Sequence, residues 1–140
     1  MMATKRLPID LGELCDALED GTPDHFWYLD LETGQILLSG IDESGATEEL
    51  IESEPDRFEP VPTIGSTEAY RHLEGFIEGL GDRHIAELLG IAIRGRGAFR
   101  RFKDVLEGFP LERENWFTFR DTTLRSRALE WLAEIGVQPA

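Results

Sequence analysis

Residues 93–104 read I-R-G-R-G-A-F-R-R-F-K-D. Five cations (Arg94, Arg96, Arg100, Arg101 and Lys103) crowd around Gly95 and Gly97 in a chain whose formal net charge is -14. The stretch coincides with the predicted start of a helix. There the first N–H groups lack intrahelical acceptors and the helix dipole places about half a positive charge, so each exposed cation costs up to about 1 kcal/mol. An anion at the terminus reverses the sign. Glycine at 95 and 97 lets the backbone approach such an anion closely, and guanidinium forks suit phosphate or carboxylate. Three readings stand side by side. The protein's own acids neutralise the cluster, for which Arg100 with Asp104 and Lys103 with Glu107 have i,i+4 spacing in the weaker basic-first order. A partner presents an acidic surface. Or a phosphate-bearing ligand sits against the Gly95–Gly97 turn. The stretch has neither GxxxxGK[ST] nor a strand followed by GxGxxG, so R-G-R-G is not by itself a nucleotide signature.

Other chemistry has less support. Ser39, Ser44, Ser53, Ser66 and Ser126 lie outside any GxSxG elbow. His25, His72 and His84 show no HExxH or other ligand spacing, although His72 and His84 fall on neighbouring predicted helices. Cys15 is the only cysteine. It rules out an intramolecular disulfide and a multi-cysteine zinc site, and its place on an apolar stripe makes it a small core hydrophobe. The acid pairs Asp42–Glu43 and Glu48–Glu49 read as a solvated face, and D-E-S-G lacks the spacing of an EF-hand loop. No cofactor and no metal are expected.

The elements that must position the basic stretch follow from 140 residues with 41% hydrophobic and 30% charged side chains. That length buries roughly two thirds of its unfolded surface without staples and is most simply one domain, 1–140, with a possible seam near 60–65 at Pro60, Pro62 and Gly65. Residues 1–93 carry 21 acids against 5 bases, and residues 94–140 carry 7 against 9. The acidic part repels nucleic acid and anionic lipid, which argues against direct binding of either. Lys5 and Arg6 are not followed by the apolar run of a signal peptide, because Asp10, Glu13 and Asp16 interrupt it, and no run reaches the roughly 20 residues of a membrane span. The expected setting is a reduced cytosol.

Ile9, Leu11, Leu14, Cys15 and Leu18 form a short helical stripe ending at Gly21. H-F-W-Y-L-D-L-E-T-G-Q-I-L-L-S, residues 25–39, reads as a hairpin with Gly34 at the position needing positive φ, and with both faces covered at the centre of Phe26 to Leu29. Trp27 and Tyr28 are neighbours on a strand and point to opposite faces, so one should be core while the other is free to be exposed. S-G-I-D-E-S-G reads as loop, and Ala46 to Glu54 as an acidic helix with Leu50 and Ile51 inward. F-E-P-V-P, residues 58–62, is extended, its prolines confining it to a sheet edge.

Ser66 is the expected N-cap of a helix carrying Ala69, Tyr70, Leu73, Phe76, Ile77 and Leu80, and Asp82 that of a second with Ile85, Leu88, Leu89 and Ile93. A third runs from about Gly97 to Gly108 with Phe99, Phe102, Val105 and Leu106 on one side. Pro110 opens the longest, to about Ile135, with Trp116, Phe117, Phe119, Leu124, Ala128, Trp131, Leu132 and Ile135 inward and Gly136 as C-cap. The fold class is α+β: a small antiparallel hairpin or sheet in the N-terminal half, packed against a helical C-terminal half whose long last helix covers it.

G-R-G-A-F-R-R-F-K-D-V-L, then W-F-T-F-R-D and R-A-L-E-W-L, resemble an uncharacterised bacterial protein family numbered 0158 in the UPF series. W-Y-L-D-L-E-T-G, D-R-F-E-P-V-P and F-I-E-G-L match it as well, in order over roughly residues 26 to 137. The resemblance implies a small bacterial cytosolic domain, and no activity, cofactor or catalytic residue.

The functional expectation is a non-enzymatic binding or regulatory module that docks an anionic group or acidic partner surface through Arg94, Gly95, Arg96, Gly97, Arg100, Arg101 and Lys103. The alternatives are a phosphate-handling enzyme or nucleotide binder at the Gly95–Gly97 turn, and an acidic mimic of nucleic acid.

Overall fold

The computed structural model describes residues 4–40 and 44–140. The part of the predicted loop at 41–43, with the acid pair Asp42 and Glu43, lies outside the described residues. The fold is α+β, in the order β1 (Lys5–Leu7), α1 (Leu11–Glu19), β2 (Phe26–Asp30), β3 (Ile36–Ser39), α2 (Ala46–Ser53), β4 (Phe58–Pro60), α3 (Ser66–Glu78), α4 (Arg83–Ala92), α5 (Ala98–Glu107), α6 (Pro110–Glu134) and β5 (Val137–Pro139). It divides into two compact units. One holds the chain up to Ile64 together with Leu124–Ala140; the other is Gly65–Thr123.

In the first unit β2 and β3 form the predicted antiparallel hairpin, with Leu29 opposite Ile36. Gly34 closes the turn at φ 82°, a conformation that costs a residue with a Cβ about 1–2 kcal/mol. A Cβ there would also lie 2.7 Å from the Pro8 carbonyl oxygen. β4 adds to the other side of β2, giving the order β3-β2-β4, so the proline-bearing strand is an edge where a missing N–H does no harm. A second, two-stranded sheet pairs β1 with β5 in parallel, Lys5 opposite Val137. No periodicity foretold it, because three-residue strands carry no pattern of their own.

The core of this unit draws Leu14, Ala17 and Leu18 from α1, Leu29 and Ile36 from the hairpin, and Ala128, Trp131 and Leu132 from the second half of α6. The last helix covers the hairpin as expected, and α1 shares the task. The α1 N-terminus is capped by Asp10, whose carboxylate accepts from the Glu13 amide at 3.1 Å. Glu48 of α2 accepts from the Ser39 hydroxyl at 3.1 Å and the Gly40 amide at 2.8 Å, tying α2 to β3. One inward assignment fails here. Leu50 is 38% exposed, because α2 is short and touches the sheet through one face only. Phe26, at the end of its strand and outside the covered centre, is 58% exposed. Trp27 and Tyr28 are both half-buried.

Asp30 is a buried charge in this unit, 2% exposed. Burial of a carboxylate is tolerated only with full hydrogen bonding, and Arg57 supplies a fork: Nε to Oδ1 at 3.0 Å and Nη2 to Oδ2 at 2.8 Å. The amides of Glu32 and Thr33 donate to the same carboxylate. The Arg57 fork, more than the amides, lowers the Asp30 pKa to about 2. Arg57 also reaches Glu54 at 2.9 Å and Glu32 at 3.4 Å. The segments D-L-E-T-G and D-R-F-E-P-V-P are thereby locked together.

The second unit is helical. Leu73 and Phe76 of α3, Ile85 and Leu89 of α4, Phe102 and Leu106 of α5 and Trp116 of α6 form its core. Phe76, Phe102 and Trp116 meet edge to face at centroid distances of 4.9–6.1 Å, the geometry that ring quadrupoles favour. Asp82 caps α4 as predicted, accepting from the amides of His84 and Ile85. Two rings assigned inward are not: Phe99 is 40% and Phe117 41% exposed. Phe99 lies in the first turn of α5, beside and not on the buried line of Ala98, Phe102 and Leu106. Phe117 instead lies beneath the Arg113 guanidinium, 5.3 Å from its ring centroid.

Candidate functional site

The R-G-R-G turn joins α4 to α5. Gly95 and Gly97 both have positive φ, 73° and 78°, so the chain reverses through two left-handed positions. A Cβ on Gly97 would stand 2.9 Å from Nη1 of Arg101. Arg101 donates from Nε to the Ala92 carbonyl at 2.8 Å and from its terminal nitrogens to the carbonyls of Arg94 and Arg96. The Tyr70 hydroxyl donates to the Ile93 carbonyl at 2.9 Å. Four carbonyls at and beyond the C-terminus of α4 are satisfied in this way.

This arrangement answers part of the electrostatic puzzle. The start of α5 is also the end of α4, and a cation beside a helix C-terminus is favourable. Arg101 belongs to α5 by sequence and serves α4 by contact. Arg94, Arg96, Arg100 and Lys103 are exposed. Among the described residues no ion pair joins them to an acid, and neither Arg100 with Asp104 nor Lys103 with Glu107 closes.

Beside the turn lies a groove of about 460 Å³. Arg96, Gly97 and Phe99 form one wall, and Ser66, Tyr70 and Arg71 of α3 stand in the other, with Glu74 as its acid. Two helices begin at this groove. α3 starts from Gly65 and α5 from Gly97, and neither has a side-chain cap. Ser66 is therefore the first residue of α3 and not its N-cap. Uncapped termini leave amide donors for solvent or an anion. Sequence reasoning missed the α3 wall. Tyr70 carried the signature of a core residue and Arg71 that of an exposed one; only the packing of α3 against α4 and α5 brings them to the turn.

Of the remaining candidates, His25 Nδ1 meets Asp20 Oδ2 at 2.8 Å, and the Trp27 indole N–H donates to the same oxygen at 2.8 Å. Thr22, then His25 and Trp27, hold the Asp20 carboxyl well below the usual carboxylate range. Among the described residues no three of His, Cys, Asp and Glu gather as a metal would need, and no helix is long and apolar enough to cross a membrane.

The model of a family described as uncharacterised protein family UPF0158 matches residues 4–140. The chain is similar to the UPF0158 protein PA5073 of Pseudomonas aeruginosa, with 30% identity over 135 residues, which is 96% of this chain and 87% of that one. No solved structure matches.

Proposed function

The chain belongs to the uncharacterised protein family UPF0158, a membership that assigns no activity, and we propose from the chemistry of the groove that the protein is a non-enzymatic binding module that docks an anionic group there. One observation carries the reading. Arg96 and Arg71 line a groove at which α3 and α5 both start without side-chain caps, and although the chain holds 28 acids, with Glu74 in the groove wall itself, those arginines have no ionic partner among the described residues. Arg94, Arg100 and Lys103 add positive charge around the turn. Arg101 acts as scaffold. The net charge of -14 repels anions at a distance, so attraction takes over only within a Debye length, about 8 Å at physiological ionic strength. Binding must therefore be short-ranged and weakened by salt.

The test is titration with inorganic pyrophosphate, followed by amide shifts at Ser66, Gly97 and Phe99. In the variant Arg71→Glu/Arg96→Glu/Arg100→Glu, affinity should fall at least tenfold, with Arg101 left in place to keep the turn. Unchanged affinity in that variant refutes the reading. A nucleotide is the second reading, favoured by the exposed Phe99 ring at the groove, which offers a stacking face. ATP with Mg²⁺ should then bind more tightly than pyrophosphate, and Phe99→Ala should erase the difference.

A further inference from the structure

We propose that the first unit carries a separate binding site, a cavity that takes a zwitterion with an apolar body: a free aliphatic amino acid or a short peptide of such residues. The cavity measures about 640 Å³, within the range of small-molecule sites. Leu31, Ile135 and Val137 give it an apolar lining, and charges of both signs stand around them. Lys5 comes from β1, which is held by parallel pairing to β5. Asp56 and Arg57 come from the segment between α2 and β4, with Glu32 and Glu54 beside them.

These charges are not equivalent. Arg57 is forked onto Asp30 and bridged to Glu54 and Glu32, so its charge is already matched by the protein's own acids and a ligand gains less from it than from an unpaired cation. Lys5 and Asp56 line the same cavity and take part in no ion pair among the described residues. The charge pattern then selects the ligand. A phosphate or other simple anion meets one available ammonium and three carboxylates. A simple cation finds carboxylates but is repelled by Lys5. A neutral apolar molecule desolvates both free charges without compensating either. A zwitterion places its carboxylate on Lys5 and its ammonium on Asp56, leaves the Arg57 clamp intact, and lays its aliphatic part on Leu31, Ile135 and Val137. Charge-assisted pairs of this kind are the stronger hydrogen bonds.

The experiment uses the full chain and amide chemical shifts at Leu31, Arg57 and Val137. Leucine and the dipeptide Leu-Leu are titrated separately, and the tighter of the two identifies free amino acid or peptide as the occupant. N-acetyl-leucinamide, 3-methylbutylamine and 4-methylpentanoate supply the same body with no charge, with the ammonium alone and with the carboxylate alone. Lys5→Ala and Asp56→Ala, both at exposed positions, should each weaken the zwitterion roughly tenfold. Lys5→Ala should also bring the zwitterion level with the amine, and Asp56→Ala with the carboxylate. The proposal is overturned if neither leucine nor Leu-Leu shifts those amides at about 10 mM. It is equally overturned if the neutral or single-charge analogues bind wild type as tightly, or if both variants keep wild-type affinity.

Discussion

Replacing Arg57 by methionine removes the fork from a carboxylate that is 2% exposed while keeping the apolar stem. Stranding one member of a buried pair costs about 3–5 kcal/mol. Two features reduce that figure here. The Arg57 side chain is 22% exposed, and Asp30 keeps the Glu32 and Thr33 amides. Its pKa supplies a second route to the magnitude: from 3.8 to about 2, at 1.36 kcal/mol per unit, is about 2 kcal/mol. The expected loss near neutral pH is therefore about 2–3 kcal/mol. A folded-state pKa below the unfolded one means that this stability is present above pH 3.8 and disappears as the pH falls through about 2, since both states are then protonated. The gap between wild type and Arg57→Met must follow the same course. Urea unfolding, with a slope of about 2 kcal/mol per molar, should show the midpoint lowered by about 1 M near neutral pH, and the two curves converging toward pH 2. A midpoint difference that stays constant down to pH 2, or one below about 0.2 M near pH 7, refutes the assignment of Asp30 as an ionised, Arg57-dependent group.

Two further substitutions test the turns. Arg101→Lys keeps the charge but replaces a three-pronged donor by a point charge that cannot reach the carbonyls of Ala92, Arg94 and Arg96 together, so thermal unfolding should register a loss of about 1–2 kcal/mol, whereas Arg100→Lys should stay within about 0.5 kcal/mol. Gly34→Ala combines left-handed backbone with a Cβ contact of 2.7 Å to Pro8 and should cost more than about 2 kcal/mol by urea unfolding; Gly45→Ala, at φ 71° but in open space, should cost only the backbone part of about 1 kcal/mol.

Much of the local structure was legible because its causes are local. The E-T-G turn, the Asp82 cap, the Pro110 start of α6 and the edge position of β4 each depend on residues within a few positions of one another. The errors share a different cause. Phe99, Phe117 and Leu50 lie at positions where helical spacing predicts an inward face, but spacing gives a direction and not a neighbour, and no other element covers them fully. The basic stretch was legible as an oddity and not as a mechanism. Counting cations against the dipole of α5 left out α4, whose C-terminal carbonyls Arg101 satisfies.

By itself the amino-acid order determined the class of fold, the helices, the hairpin and the place where positive charge accumulates, because periodicity, capping and turn chemistry act over short stretches of chain. Folding alone decided that β1 meets β5, that Asp30 finds Arg57, that α3 walls the groove beside the R-G-R-G turn, and that Lys5 and Asp56 line one cavity. Each of those pairings joins segments far apart in the chain, and their selection rests on which buried charges and apolar faces must be matched at once, a condition that no single segment contains.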